Sequence, residues 1–309
     1  MKTLFLPGGF GFLGTNILKY IDSHLAGEWR AVVFDKFGSH PAGVRFNCVE
    51  RTYAGDFSDL SAVSKIFDEN EIDLVIHALG TTVPALGQSA RYDIESNLIP
   101  TLGLVEAMLS HGVKDIVYLS SGGAVYGDHS SHAHREDEDT FPISSYGVVK
   151  LSIEKYLMQY AQLQGLRPLI LRVSNPYGPW HYSMRQGVCN VAMASAVRGL
   201  PFKVWGDGLA RKDYIYVEDF ASLLFKLVGA GVHTEVVNLA SGQTSSVLEI
   251  LGKIRGFAPD FSWTHEAPSR FDVSHFELDT TKLHSLVGDY SFVSLEDGLS
   301  LTWEWQTGD

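Results

Sequence analysis

The sequence predicts an α/β protein, a doubly wound parallel sheet with a smaller mixed α/β lobe attached. Three observations predict it. Short apolar runs alternate with segments of helical periodicity over residues 1–174, the pattern of repeated βαβ units. A glycine-rich turn follows the first apolar run directly. After Asn175 the regular alternation stops, and residues 175–309 read mainly as a second, substrate-binding lobe. The chain is expected to return to the first unit near 234–242, at Val236-Val-Asn-Leu239.

Leu4 to Leu6 reads as a short buried strand that breaks into Gly8-Gly9-x-Gly11-x-x-Gly14, and a helix follows with Leu13, Ile17, Leu18 and Ile21 on one face. That order suits the pyrophosphate of a dinucleotide. Glycines give a tight turn and close backbone approach, and the helix N-terminus offers free amides and partial positive charge. Gly8, Gly11 and Gly14, with Phe12 and Leu13 between them, are therefore candidate cofactor residues. The second strand, Ala31 to Phe34, ends at Asp35, about 20 residues after the turn, where a carboxylate can accept from an adenosine ribose. It would repel a 2′-phosphate and so favours NAD over NADP, with Lys36 beside it acting the other way.

A third strand ends near Ala54-Gly-Asp56. Asp56 and Phe57 stand where an acidic residue and a ring could frame the adenine; equally, Asp56 is placed to cap a helix from Leu60 to Phe67. A fourth buried strand runs through Asp73-Leu-Val-Ile-His-Ala-Leu-Gly80, and Leu98 to His111 has helical periodicity. The fifth strand, Asp115 to Ser121, leads into Ser120-Ser-Gly-Gly-Ala-Val-Tyr-Gly127, which sets hydroxyls at the carboxyl end of a parallel sheet, where ligands bind. His129, His132 and His134, followed by Arg135-Glu-Asp-Glu-Asp139, have the uneven polar spacing of a solvated loop, and no metal site is expected. Ser144-Ser-Tyr146-Gly-Val-Val-Lys150 then opens a helix. Its tyrosine and lysine, four residues apart, share one face, so phenol and ammonium can act together. Arg167 to Arg172 is a sixth strand, and a helix (Val191 to Arg198) and short strand (Phe202 to Trp205) follow it.

The chain of 309 residues is long enough for a sizeable core, and 45% hydrophobic with 19% charged residues reads as soluble and globular. A net charge of −12, spread along the chain, argues against nucleic-acid or anionic-membrane partners. No apolar run is long enough to span a bilayer, and the two cysteines, Cys48 and Cys189, lack metal-ligand spacing, so a reducing cytoplasm is the expected setting.

The glycine turn, Tyr146-x-x-x-Lys150, Arg172-Val-Ser-Asn-Pro-Tyr-Gly178 and Gly206-Asp-Gly208…Asp213-Tyr-Ile-Tyr-Val217, in that order, resemble the extended short-chain dehydrogenases/reductases with a Rossmann-type fold. Within them the chain is most similar to the nucleotide-sugar epimerases of the UDP-glucose 4-epimerase type, from Met1 to about Trp303. The resemblance implies NAD as cofactor and a UDP-sugar or related nucleotide sugar as substrate. It implies transient oxidation at C4, with Tyr146 as base supported by Lys150, and return of hydride to the other face. Further cofactor contacts implied are Leu79, Gly80 and Thr81 after the fourth strand, Asn97 just before the next helix, and Ser120. Implied substrate contacts are Gly122 and Tyr146 at the sugar, and Asn175 and Asn190 at the diphosphate or uracil. Where relatives have Arg directly before the Asp of the later motif, this chain has Lys212, which shifts bidentate recognition of the diphosphate to Arg211 or Arg270.

Relatives place Ser or Thr where this chain has Gly122; Ser121, one residue earlier, is the candidate third catalytic residue, reaching the site if the backbone turns differently and aimed elsewhere if strand alternation holds. Gly123 and Ala124 replace the acidic pair of the 4,6-dehydratases and exclude dehydration. Counting from Asp272, Phe276 either limits the room beside the sugar's 2-substituent or belongs to the core. A homodimer through the Leu98–Leu109 and Leu151–Leu163 helices is expected. The alternatives are an NAD(P)H-dependent reductase of a keto sugar and a dinucleotide-binding protein without catalysis.

Overall fold

The computed structural model describes residues 1–36, 41, 43–81, 89–127, 132–184, 186–267 and 275–308. Six strands of the central sheet come from the first part of the chain: β1 (Lys2–Pro7), β2 (Trp29–Asp35), β3 (Val49–Ala54), β4 (Leu74–His77), β5 (Asp115–Ser121) and β6 (Arg167–Val173). Past residue 174 come β7 (Asn175–Tyr177), β8 (Phe202–Trp205), β9 (Arg211–Tyr216) and then β10 (Glu235–Leu239), which returns to the sheet beside β6. The seven strands lie in the order β10-β6-β5-β4-β1-β2-β3, all parallel. The order reverses direction at β1, so its carboxyl end meets that of β4 at the crevice where open α/β sheets take ligands.

Both faces of the sheet are apolar, which is why the strands read as continuous hydrophobic runs. Leu4 and Leu6 of β1 face one side, with α1 (Phe12–His24), while Phe5 faces the other, with α2 (Leu60–Glu69). The helix expected from Leu98 begins earlier. It runs as α3 (Ala90–Asp93), a π-turn (Ile94–Leu98) and α4 (Ile99–Ser110), because Ser89 caps it by accepting from Tyr92 N. After β5 come a single turn, α5 (Gly122–Val125), and the long α6 (Ser145–Gln164), capped by Ser144 and ended by Gly165 in the left-handed conformation.

The second part adds α7 (Val188–Val197), α8 (Val217–Gly229), which packs back on α1, and α9 (Val247–Phe257), which starts with a Ser246–Glu249 capping box. Strands β11 (Thr244–Ser246), β12 (Trp263–Glu266) and β13 (His275–Phe276) complete two small sheets, with β9 bonded to β7, β11 and β13, and β8 bonded to β12. Helices α10 (Thr281–Val287) and α11 (Leu295–Thr307) close the chain. This lobe has its own core around Tyr177, Met193, Val204, Tyr214 and Leu251. Among the described residues no helix is long and apolar enough to cross a membrane, no cluster of three or more His, Cys, Asp or Glu could hold a metal, and both cysteines are buried free thiols.

Candidate active site

The β1–α1 turn is shaped by close backbone approach. Gly8 has φ +81°, and a Cβ there would lie 2.8 Å from the Leu79 backbone, while one at Gly14 would run into the Gly8 carbonyl. Gly11, the N-cap of α1, where a Cβ would lie 3.3 Å from the Gly8 carbonyl, supplies no side-chain cap, so the amides of Phe12, Leu13 and Gly14 have no partner within the helix. That cradle fits a pyrophosphate. Asp35, at the end of β2, folds its carboxylate toward the turn. It accepts from Phe10 N at 2.8 Å and from the amide of Lys36, whose side chain is exposed.

Asp56 is exposed, and its carboxylate accepts from the amide and hydroxyl of Ser58, which hold its pKa below the usual carboxylate range. It does not cap α2; Asp59 does, accepting from Ser61 N and Ala62 N. Phe57 is a correction. Its ring is buried between Phe34 and His77 as part of the core, with no face left for an adenine. Leu79 and Gly80 line the carboxyl end of β4, and Thr81 is tied to the π-turn through Asn97 Oδ1 and the Ser96 hydroxyl. The π-turn thus sets Asn97 against the crevice.

Tyr146 and Lys150, on the first turns of α6, meet the end of β5. The Lys150 ammonium donates to the Leu119 carbonyl at 2.8 Å and lies 4.8 Å from the centre of the Tyr118 ring. Burial lowers its pKa to about 8, and Glu154 one turn further on opposes that drop. Burial pushes the Tyr146 phenol up to about 12, and the neighbouring Ser121 hydroxyl opposes that rise. Strand alternation does aim Ser120 and Ser121 to opposite sides. But Ser121 is where the chain turns into α5, and its side chain makes no capping bond to that turn.

Gly122, expected at the sugar, is buried beneath Leu278 and Phe276: a Cβ there would sit 2.8 Å from Leu278 Cδ1 and 3.0 Å from Phe276 Cζ. The missing hydroxyl is thus matched by an apolar filling of the space it would occupy. Phe276 itself is 2% exposed, clustered with Val125, Tyr126, Ala240 and Leu278, while Asp272 lies outside the described residues. Gly122→Ser is expected to destabilise the fold by about 1–3 kcal/mol through overpacking, and Leu278→Ala in the same chain to recover part of it; thermal melts of both variants check this.

Three further expectations are corrected. Ser120 is 5% exposed, and its hydroxyl is spent on Glu154 Oε1 at 2.5 Å rather than turned to a cofactor. Asn190 is buried, with both ends of its amide on the backbone of Gly178, so it shapes the loop and cannot reach a diphosphate. Arg211 is held by Thr244 and by Glu249 at 2.9 Å. Asn175 donates to the Asp213 carbonyl at 2.7 Å, which leaves its amide oxygen for a ligand. Lys212 is half-buried on β9, where alternation turns it to the face opposite Arg211. Arg270 and His129 lie outside the described residues; His132 and His134 both bond Glu138.

The sequence reading missed one feature of this site. Glu154 and Arg172, both almost wholly buried, form an ion pair at 2.8 Å directly behind the serines of β5. Its signal was available: an acidic residue one turn beyond Lys150, near the buried positions Ile153 and Leu157.

A family profile, the NAD dependent epimerase/dehydratase family, matches residues 4–240. The UDP-glucose 4-epimerase of Mycolicibacterium smegmatis is 28% identical over 99% of this chain and 98% of its own length. The solved UDP-glucose 4-epimerase of Thermotoga maritima, with UDP-glucose, superposes with TM-score 0.91 at 28% identity over 99% of both chains. That of Thermus thermophilus, in complex with NAD, does so with TM-score 0.87 at 27% identity, again over 99% of both. With a glycine turn, an aspartate and a tyrosine–lysine pair at the ends of β1, β2 and β5, this chain belongs to the NAD dependent epimerase/dehydratase family. It is an enzyme of the extended short-chain dehydrogenase/reductase type, and its cofactor is NAD.

Proposed function

We propose that this chain is a nucleotide-sugar 4-epimerase acting on UDP-hexoses. The observation that carries the reading is the Tyr146–Lys150 pair at the carboxyl end of β5, with Ser121 next to it, beside a cradle that fits a dinucleotide. Gly8, Gly11, Gly14 and the amides of α1 would hold the pyrophosphate, Asp35 the adenosine ribose, and Lys150 the nicotinamide-side ribose. Bound NAD supplies the two-electron acceptor that inversion by transient oxidation at C4 requires. The chain's own residues manage the proton. Tyr146 takes it from the 4-hydroxyl and gives it back, Lys150 stabilises the phenolate, and Ser121 supplies the hydroxyl that Gly122 lacks. Asn175 and Lys212 would meet the diphosphate.

The division at residue 174 into cofactor and substrate units is part of the same reading. So is a homodimer through α4 and α6, supported by the exposed apolar residues Ile99, Val148, Tyr156 and Leu163.

Lys150 gives the reading a pH signature. Its ammonium, the form that steadies a phenolate, is lost from the free protein as pH rises through about 8. On the alkaline side kcat/KM is expected to fall with that apparent pKa, and Lys150→Arg, which cannot lose its proton, to carry no such limb; full pH profiles of both proteins check it. Unfolded lysine keeps its proton to about 10.4, so the unfolded chain binds more protons between the two values. Stability therefore gains from this residue as pH rises through that window.

The test of function is to denature purified protein, identify the released nucleotide, and incubate fresh protein with UDP-glucose and UDP-galactose without added cofactor. Interconversion with NAD carried in near one per chain supports the reading. Protein without bound nucleotide that consumes NAD(P)H on a keto sugar contradicts it.

A further inference from the structure

Three successive residues at the end of β5 meet three residues on one face of α6. The Leu119 carbonyl holds Lys150 and the Ser120 hydroxyl holds Glu154, and this register sets Ser121, the next residue, beside Tyr146. Glu154 is fixed from its other side by Arg172, whose Nη2 lies 2.8 Å from Oε2 and whose Nε lies 3.2 Å from the same oxygen. Arg172 in turn lies over the Tyr126 ring at 4.7 Å, and the Tyr126 hydroxyl donates to Asn238 Oδ1 at 2.8 Å. The amide of Asn238 donates to the carbonyls of His134 and Asp279, the latter adjacent to the Leu278 that fills the space over Gly122. One buried network thus joins the face of α6 that carries Tyr146 to the segment packed against the sugar end of β5.

Such a pair is a poor way to gain stability, because removing two charges from water costs about as much as their attraction returns. It is a good way to fix a register. Ser120 and Ser121 are chemically identical neighbours, and a slip of one residue would exchange the faces they address. Only one of them meets a buried carboxylate. We propose that Glu154 and Arg172 are positioning residues: by anchoring Ser120 they keep Ser121 against the phenol of Tyr146, in a strand where Gly122 offers no hydroxyl. The proposal deepens the epimerase reading and rests on it for its kinetic readout.

The test is a double-mutant cycle with Ser120→Ala and Ser121→Ala. Each single variant is expected to lose roughly 10- to 100-fold in kcat, with KM and bound NAD unchanged, as a displaced catalytic hydroxyl would cause. The double variant is expected to lose no more than Ser121→Ala alone, because Ser120 acts through Ser121. Losses that multiply, or a Ser120→Ala protein with wild-type kcat, overturn the proposal. Replacing the pair with the apolar Glu154→Leu and Arg172→Met together should leave a folded protein with the same loss of kcat; a folded protein with full kcat also overturns it. A crystal structure of Ser120→Ala gives a readout independent of turnover. Ser121 Oγ should leave the phenol, and an unmoved hydroxyl contradicts the positioning role even if the substrate proves not to be a nucleotide sugar.

Discussion

Tyr146→Phe is expected to fold, keep its NAD and lose turnover by about 10³-fold or more, the size of a general acid–base contribution. The ring is half-buried beside Lys150, and phenylalanine preserves its packing while deleting one hydroxyl. In the protein as it stands that hydroxyl is a poor base, since burial holds its pKa near 12. Two charges must bring it down, the Lys150 ammonium and the positive nicotinamide of bound NAD, with the Ser121 hydroxyl helping. The substitution removes the group on which all three act. Single-turnover assays with the released nucleotide measured in parallel would separate lost chemistry from lost cofactor; near-normal kcat would remove Tyr146 from the base role.

The largest effect on stability is expected at Arg172. Arg172→Met strands the Glu154 carboxylate, 2% exposed, with one serine hydroxyl as partner, at a cost of about 3–5 kcal/mol. Adding Glu154→Leu in the same chain should return most of that, because two apolar side chains of similar volume need no partners. Urea unfolding of the single and double variants measures both. A single variant as stable as wild type would mean that the carboxylate takes up a proton or finds water, and the ion pair would lose its place in the account.

The features legible in the sequence are those whose logic is local. The phosphate turn lies within seven consecutive residues, Asp35 follows at a fixed spacing, and Tyr146 and Lys150 share a helix face. The corrected residues have partners remote in the chain. Asn190 is taken up by Gly178, Arg211 by Thr244 and Glu249, and Ser120 by Glu154. A side chain's polarity shows that it needs a partner, and only the fold shows whether the partner is a ligand or the protein itself. Phe57 illustrates the same limit for an apolar group, since it follows β3 while its neighbours Phe34 and His77 come from β2 and β4. Ser121 could not be decided from alternation alone, because α5 begins at the next residue and the strand pattern ends there.

The most direct measurement is turnover of UDP-glucose carrying deuterium at C4, followed by NMR of the product. Transient oxidation at C4 within a closed site predicts UDP-galactose with the deuterium still at C4, a primary isotope effect on kcat, and no need for added cofactor. Deuterium lost to solvent, or product formed only when NAD(P)H is supplied and consumed, would contradict the account.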